Sequence, residues 1–220
     1  MPIVLNGTTG ITTPGQTLTS AALSTAVAGT TEWDGKVQYF TPQGTQRGVV
    51  PGEQLYVLNS ANVGANATGA QPIFGVGVTL SGSTYYAFEA IYALSKSAGT
   101  TSHSLSILFG GTATLNNIAY QLNGQYNGTG FNQTTTALSN IQPNFIQTAG
   151  AFAVGSNSTA NIFFMVLIKG MVSINSGGTF IPQYQLSAAP GGAYTTAINS
   201  YFKIYPIGAS GANVNVGTWA

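Results

Sequence analysis

From residue 31 onward, apolar and polar positions alternate along this chain with a period of two. Residues 85–94 carry aromatic and branched side chains over a full strand length, with Glu89 on the face opposite Phe88. Leu105, Ile107 and Phe109 alternate with Ser104, Ser106 and Leu108, which predicts a half-buried strand. Residues 162–168 are apolar on both faces and predict a central strand of a sandwich. Beyond them Asn175, Ser176, Gly177 and Gly178 supply turn residues, and Phe180, Tyr184 and Leu186 alternate with Ile181, Gln183 and Gln185. This pattern predicts a hairpin. Pro182 places the second strand of that hairpin at an edge or a bulge. Further strands are expected near 54–59, 71–79, 117–122 and 200–207, with 123–130 as a loop. No ten-residue stretch has a helical period.

Many short strands, Gly/Asn turns and no crossover helices predict an all-β fold: an antiparallel β-sandwich or jelly roll of one domain, residues 31–220. No fixed repeat is evident, which argues against solenoids and propellers. Residues 1–30 differ. They are dense in Gly, Pro and Thr, and Ile3, Leu5, Ile11, Leu18, Leu23 and Val27 are too scattered to own a core. They are expected to form an extended N-terminal arm that a neighbour orders.

Composition sharpens this picture. The 220 residues include only five Lys/Arg and four Asp/Glu, 4% of the chain against about 25% in an ordinary soluble domain. Hydrophobic residues still make up 44%, enough for a sizeable core. A net charge of +1 offers no basic patch, so nucleic-acid binding is not expected. The absence of Cys removes disulfides and thiolate catalysis. The longest apolar run, 162–168, is far below the ~20 residues that span a bilayer, and the N-terminus lacks the basic start of a secretory signal. A soluble chain without membrane contact is the expectation. With so few ions to hold it apart from its neighbours, such a chain suits an assembled component or an obligate oligomer.

The chemistry-bearing residues are sparse. His103 is the single histidine and lies in a Ser/Thr run, which reads as a solvated loop position. Without Cys or a second His no zinc site can be assembled, and the four carboxylates Glu32, Asp34, Glu53 and Glu89 form no calcium loop. No G-x-S-x-G elbow occurs, and the Gly29 to Val37 segment departs from a phosphate loop in spacing and in its last residue. No cofactor, no metal and no enzymatic activity are expected. The best acid pair, Glu32 and Asp34 beside Trp33, raises a glycan hydrolase as a rival. Yet five of the nine charges, Glu32, Asp34, Lys36, Arg47 and Glu53, fall within residues 32–53. That clustering favours a charge-paired structural segment.

Three segments carry a resemblance. Val4-Leu5-Asn6-Gly7-Thr8-Thr9-Gly10-Ile11-Thr12-Thr13-Pro14-Gly15 looks like a leader of virion structural proteins of tailed bacteriophages. Glu32-Trp33-Asp34-Gly35-Lys36, Tyr39-Phe40-Thr41-Pro42 and Arg47-Gly48-Val49-Val50-Pro51-Gly52-Glu53-Gln54 are similar to the start of the terminal β-sandwich head of many phage tail-fibre proteins. Ser200-Tyr201-Phe202-Lys203-Ile204-Tyr205-Pro206-Ile207-Gly208 resembles the last strand of such heads. The resemblance implies a homotrimeric, non-enzymatic virion protein, assembled in the cytoplasm of a host bacterium and contacting other capsid or tail proteins. Only residues 16–31 separate leader from head, too few for a projecting shaft, so a short tail fibre, a spike or a capsid-decoration protein is implied equally. The residues expected at subunit or attachment contacts are Trp33, Asp34, Tyr39, Arg47 and Trp219, with a core role for Trp33 and Tyr39 as the alternative. A receptor- or carbohydrate-binding head that recognises host surface glycan is the rival function, through the Asn/Gln/Tyr-rich loops 123–133 and 188–196.

Overall fold

The computed structural model describes residues 17–127, 139–211 and 213–219. Among them the chain is all-β, with sixteen strands and no helix. It forms two compact units, one of Met1–Val50 with Val216–Ala220 and one of Pro51–Asn215.

The first unit holds β1 (Thr31–Trp33), β2 (Gln38–Phe40) and β3 (Gly48–Val50), an antiparallel sheet in the order β1-β2-β3. Val37, Tyr39 and Thr41 are its buried positions. The preceding segment is tied to this sheet: Ala21 N donates to Trp33 O, and Gly29 N to Thr41 O at 2.7 Å.

The second unit is an antiparallel sandwich. Its strands are β4 (Gln54–Val57), β5 (Asn62–Val63), β6 (Gln71–Pro72), β7 (Val78–Leu80), β8 (Thr84–Lys96), β9 (His103–Gly110), β10 (Thr114–Asn127), β11 (Ser139–Ile146), β12 (Phe152–Asn157), β13 (Ile162–Ser176), β14 (Gly178–Leu186), β15 (Thr195–Thr196) and β16 (Tyr201–Ala209). One sheet runs β11-β10-β13-β8, after which β8 pairs with β16 along one half and β15 along the other, and β4 and β5 form the outer edge. The other sheet runs β12-β9-β14, flanked by β7 and β6. Buried and half-buried residues alternate along the whole of β8 and β9, as a period of two requires of strands with one face on a core.

Between the sheets lies an aromatic cluster. Phe88 and Phe202 from one sheet meet Phe109 and Phe180 from the other, with Phe109 and Phe180 stacked at a centroid distance of 4.8 Å and Phe88 edge-on to Phe109 at 5.3 Å. Such pairs add about 0.5–1.5 kcal/mol each beyond the area they bury. Gly170 of β13 fits into this layer because a Cβ there would run into Tyr120 on β10.

Several sequence expectations are corrected. Strands β13 and β14 are consecutive but do not pair, so residues 175–178 make a crossing between the two sheets instead of a hairpin. The crossing needs glycine: a Cβ at Gly177 would lie 2.9 Å from Leu80 O, and one at Gly178 would lie 2.7 Å from Ala113 N. Pro182 sits inside β14 where its outer neighbour changes from β7 to β6, and its carbonyl accepts from Ile73 N at 3.0 Å. The segment 123–127, expected as loop, continues β10 because β13 pairs with it through Asn127. The region 71–79 is split into two short strands, β6 and β7, with Gly75 at φ 72° between them. The loop residues 128–133 lie outside the described residues.

Candidate assembly surfaces and the placement of the charged residues

All five residues expected at contacts belong to the first unit. Asp34 follows β1 and organises the turn into β2. Its Oδ1 accepts from Lys36 N and Val37 N, both at 2.8 Å, and its Oδ2 accepts from Tyr39 Oη at 3.0 Å. Burial pushes the Asp34 carboxyl upward, but the bonds from Val37, Lys36 and Tyr39 outweigh it and leave its pKa below the ordinary value. Burial and the Asp34 carboxylate together push the Tyr39 hydroxyl up to about 12.

Glu32 is engaged differently. Its Oε1 accepts from Ser24 Oγ at 2.7 Å and Ser24 N at 2.9 Å, and its Oε2 pairs with Arg47 Nη2 at 2.5 Å. The same guanidinium donates to Ser24 O at 2.6 Å. The Ser24 bonds, with Arg47, hold the Glu32 pKa below its ordinary value. Glu32 and Asp34 are thus both stabilised as anions, whereas a glycosidase needs one of its two carboxyls kept protonated. Trp33 is half-buried, and Trp219 in the returning tail is 80% exposed. A Cβ at Gly217 would lie 3.6 Å from the Trp219 indole and 3.8 Å from Arg47 O, so the tail runs beside Arg47. The structure therefore brings Asp34 to Tyr39 and Glu32 to Arg47, as a charge-paired segment should.

The sandwich unit places its own charges in a way that no local pattern signals. Lys169 on β13 stands directly across from Glu89 on β8, and Glu89 directly across from Lys203 on β16. Lys203 Nζ lies 2.9 Å from Glu89 Oε1 and 3.3 Å from Glu53 Oε1, the latter just ahead of β4. The bonds to Glu89 and Glu53 raise the Lys203 pKa. Three charges of alternating sign thus cross three adjacent strands on the outer face of the larger sheet, and Glu53, ahead of β4, adds a fourth through its ion pair with Lys203. The only other formal charge in residues 51–215 is Lys96, which is buried.

Around that row the face is apolar. Met165, Leu167 and Met171 on β13 are 36%, 39% and 48% exposed, and Leu55 on β4 and Phe145 on β11 are more exposed still. Residues 162–168 do lie in a strand central to its sheet, but the second apolar face of that strand has no layer over it within the sandwich unit.

Two clefts accompany these strands. One of about 300 Å³ lies between β4 and β7, lined by Leu55, Tyr56, Phe74, Val76, Val78 and Phe202 among others. A wider one of about 720 Å³ is lined by Tyr85, Asn116, Asn117, Met171, Ser173 and Asn213 among others, with Tyr85 Oη donating to Asn117 Oδ1 at 3.0 Å.

Two buried polar groups were not legible in the sequence. Lys96 closes β8 with its ammonium directed at four backbone carbonyls, those of Ala98, Gly99, Thr159 and Ala160, at 2.5–3.3 Å. Burial lowers its pKa. His103, expected in a solvated loop, instead opens β9 with only 3% of its surface exposed. Its Nδ1 lies 2.8 Å from Thr101 O, to which it donates, and its Nε2 shares a hydrogen bond of 2.7 Å with Tyr194 Oη. Tyr194, 91 residues away, supplies the partner that makes this burial tolerable.

Among the described residues no group of three His, Asp or Glu side chains could hold a metal ion, and no helix is long and apolar enough to cross a membrane. No protein-family model, no curated protein and no solved structure matches the chain.

Proposed function

We propose that the chain is a non-enzymatic structural protein of a bacteriophage virion, a homotrimeric short tail fibre, spike or capsid-decoration component attached through its N-terminal arm, residues 1–30. The observation that supports this reading best is the surface of the sandwich unit. Its four surface charges are gathered in one row, and the sheet around them presents methionine, leucine and valine outward. A surface of that kind is stabilised by burial against sister copies and a shell, because few ions lose their water on contact. The partners on this reading are capsid or tail proteins, met in the cytoplasm of the host bacterium, with no nucleic acid, membrane or cofactor involved.

Residues 21–30 are bonded to the first sheet, so deletion of residues 1–16 is the cleaner test of the arm. The expected result is a chain that still assembles as a trimer in light scattering but no longer attaches to purified particles. Attachment at full occupancy would contradict the proposal.

A receptor- or carbohydrate-binding head is the second reading. The cleft of about 720 Å³ supports it, since Tyr85 offers a stacking face and Asn116, Asn117 and Asn213 offer uncharged amides, the groups that recognise sugar hydroxyls. Saturable binding on a glycan array, lost in Tyr85→Ala, would favour it. A decoration protein shows neither.

A further inference from the structure

We infer that the outer face of the larger sheet is the surface through which copies of this chain assemble, with the row Lys169, Glu89, Lys203 and Glu53 setting the register between them. The inference rests on the self-assembly part of the reading above, but not on the chain being a virion protein.

From β13 toward β4 the signs run plus, minus, plus, minus: Lys169, Glu89 and Lys203 stand in register on three neighbouring strands, and Glu53, just ahead of β4, is joined to the end of the row by its ion pair with Lys203. Read from the other end, every position has the opposite sign. Copies arranged around a rotation axis along the strands, with their outer faces inward, bring one half of a row against the other half of the next. Lys169 then meets Glu53 of the neighbour, and Glu89 meets its Lys203. A row of plus, minus, minus, plus would set like against like under the same operation.

The row is also incomplete within one chain. Glu89 and Glu53 share the single ammonium of Lys203, and among the described residues Lys169 forms no ion pair. A neighbour's Glu53 supplies the partner that Lys169 lacks.

Six strands from β11 to β4, and the stretch of β13 from Phe163 to Met171, span roughly 24 by 27 Å at ordinary strand spacing and rise, a face that each copy divides between its two neighbours. Its apolar side chains provide the area: Leu167, Ile91, Tyr201 and Val57 stand in register across four strands, one row along from the charges. The charges select the partner and its alignment; the apolar rows provide the affinity.

The test uses the full chain and sedimentation at a concentration where the wild type is assembled. Lys169→Glu and Glu53→Lys are each expected to weaken assembly by about tenfold or more, since each sets like charges together at the junction. Combined in one chain, Lys169→Glu and Glu53→Lys match again at every junction of the ring, the carboxylate introduced at position 169 of one copy meeting the ammonium introduced at position 53 of the next. The double variant is therefore expected to recover the assembly that each single variant loses, and this recovery also shows that both substitutions leave the chain able to fold. Leu167→Lys is expected to abolish assembly whether or not the charges are exchanged. If both charge variants sediment as the wild type does, this face is not the interface, although the chain still assembles. If they dissociate and the double variant stays dissociated, the pairing is wrong. If the wild type itself is monomeric, the inference fails together with the trimer proposed above.

Discussion

The two faces of the larger sheet are made by the same strands and have opposite fates. On β8 the inward positions Tyr86, Phe88, Ala90, Tyr92 and Leu94 are at most 4% exposed, while the outward positions Ala87, Glu89, Ile91 and Ala93 are half-buried only by their neighbours on the sheet. On β13 the contrast is larger, with Val166 and Ile168 sealed and Met165, Leu167 and Met171 open. Apolar content alone does not say which face is a core. What separates them is that the inner face meets a second sheet, whereas the outer face carries the unit's surface charges and meets no second sheet within the unit.

Substitutions on the inner face should have the largest effect on stability. Phe109→Ala removes the ring that stacks on Phe180 and packs against Phe88 and Tyr120, and is expected to cost about 3–5 kcal/mol in denaturant unfolding of the sandwich. A cost below about 1 kcal/mol would mean that this cluster is not the core. Next comes Lys96→Met, which keeps the stem but leaves four carbonyls without their ammonium; a loss of about 1–3 kcal/mol is expected by the same measurement. On the outer face Leu167→Ser is expected to change the unfolding free energy of the dissociated chain by at most about 0.5 kcal/mol. Its effect should fall on the association constant instead, which separates the two faces in one pair of experiments.

The smallest effect concerns the first unit and sharpens its contrast with the sandwich. Glu32 and Asp34 have folded-state pKa values below their ordinary ones. Their contribution is therefore present above pH ~4 and is lost as pH falls through the lowered values. Both tryptophans, Trp33 and Trp219, belong to this unit, so their fluorescence reports on it alone. Acidification from about pH 5 to about pH 2 should change that fluorescence before the β-sheet circular dichroism of the sandwich changes, and Asp34→Asn should remove part of the transition.

How much of this was readable beforehand follows from the range of each interaction. Strands β8, β9 and β13 are legible because alternation is a local property, and the same is true of the charge-paired stretch around Glu32 and Arg47. The crossing at 175–178 is not, since turn residues such as Gly177 and Gly178 announce a reversal without saying in which sheet the next strand lies. Strand β10 runs past residue 123 only because β13 reaches far enough to pair with it. His103 reads as solvated because its flanks are polar, and its partner Tyr194 belongs to a different part of the chain. The charge row is the least legible of all. Glu53, Glu89, Lys169 and Lys203 have nothing in common in sequence, and only the registers of β8, β13 and β16, with the ion pair from Lys203 to Glu53, bring them together.

The claim that the outer face is covered is tested most directly by mild peroxide oxidation of the assembled protein, with mass-spectrometric readout at Met165 and Met171. Protection of both in the wild type, and oxidation of both in dissociated Lys169→Glu, is the predicted result. Equal and rapid oxidation in the two proteins would contradict the account.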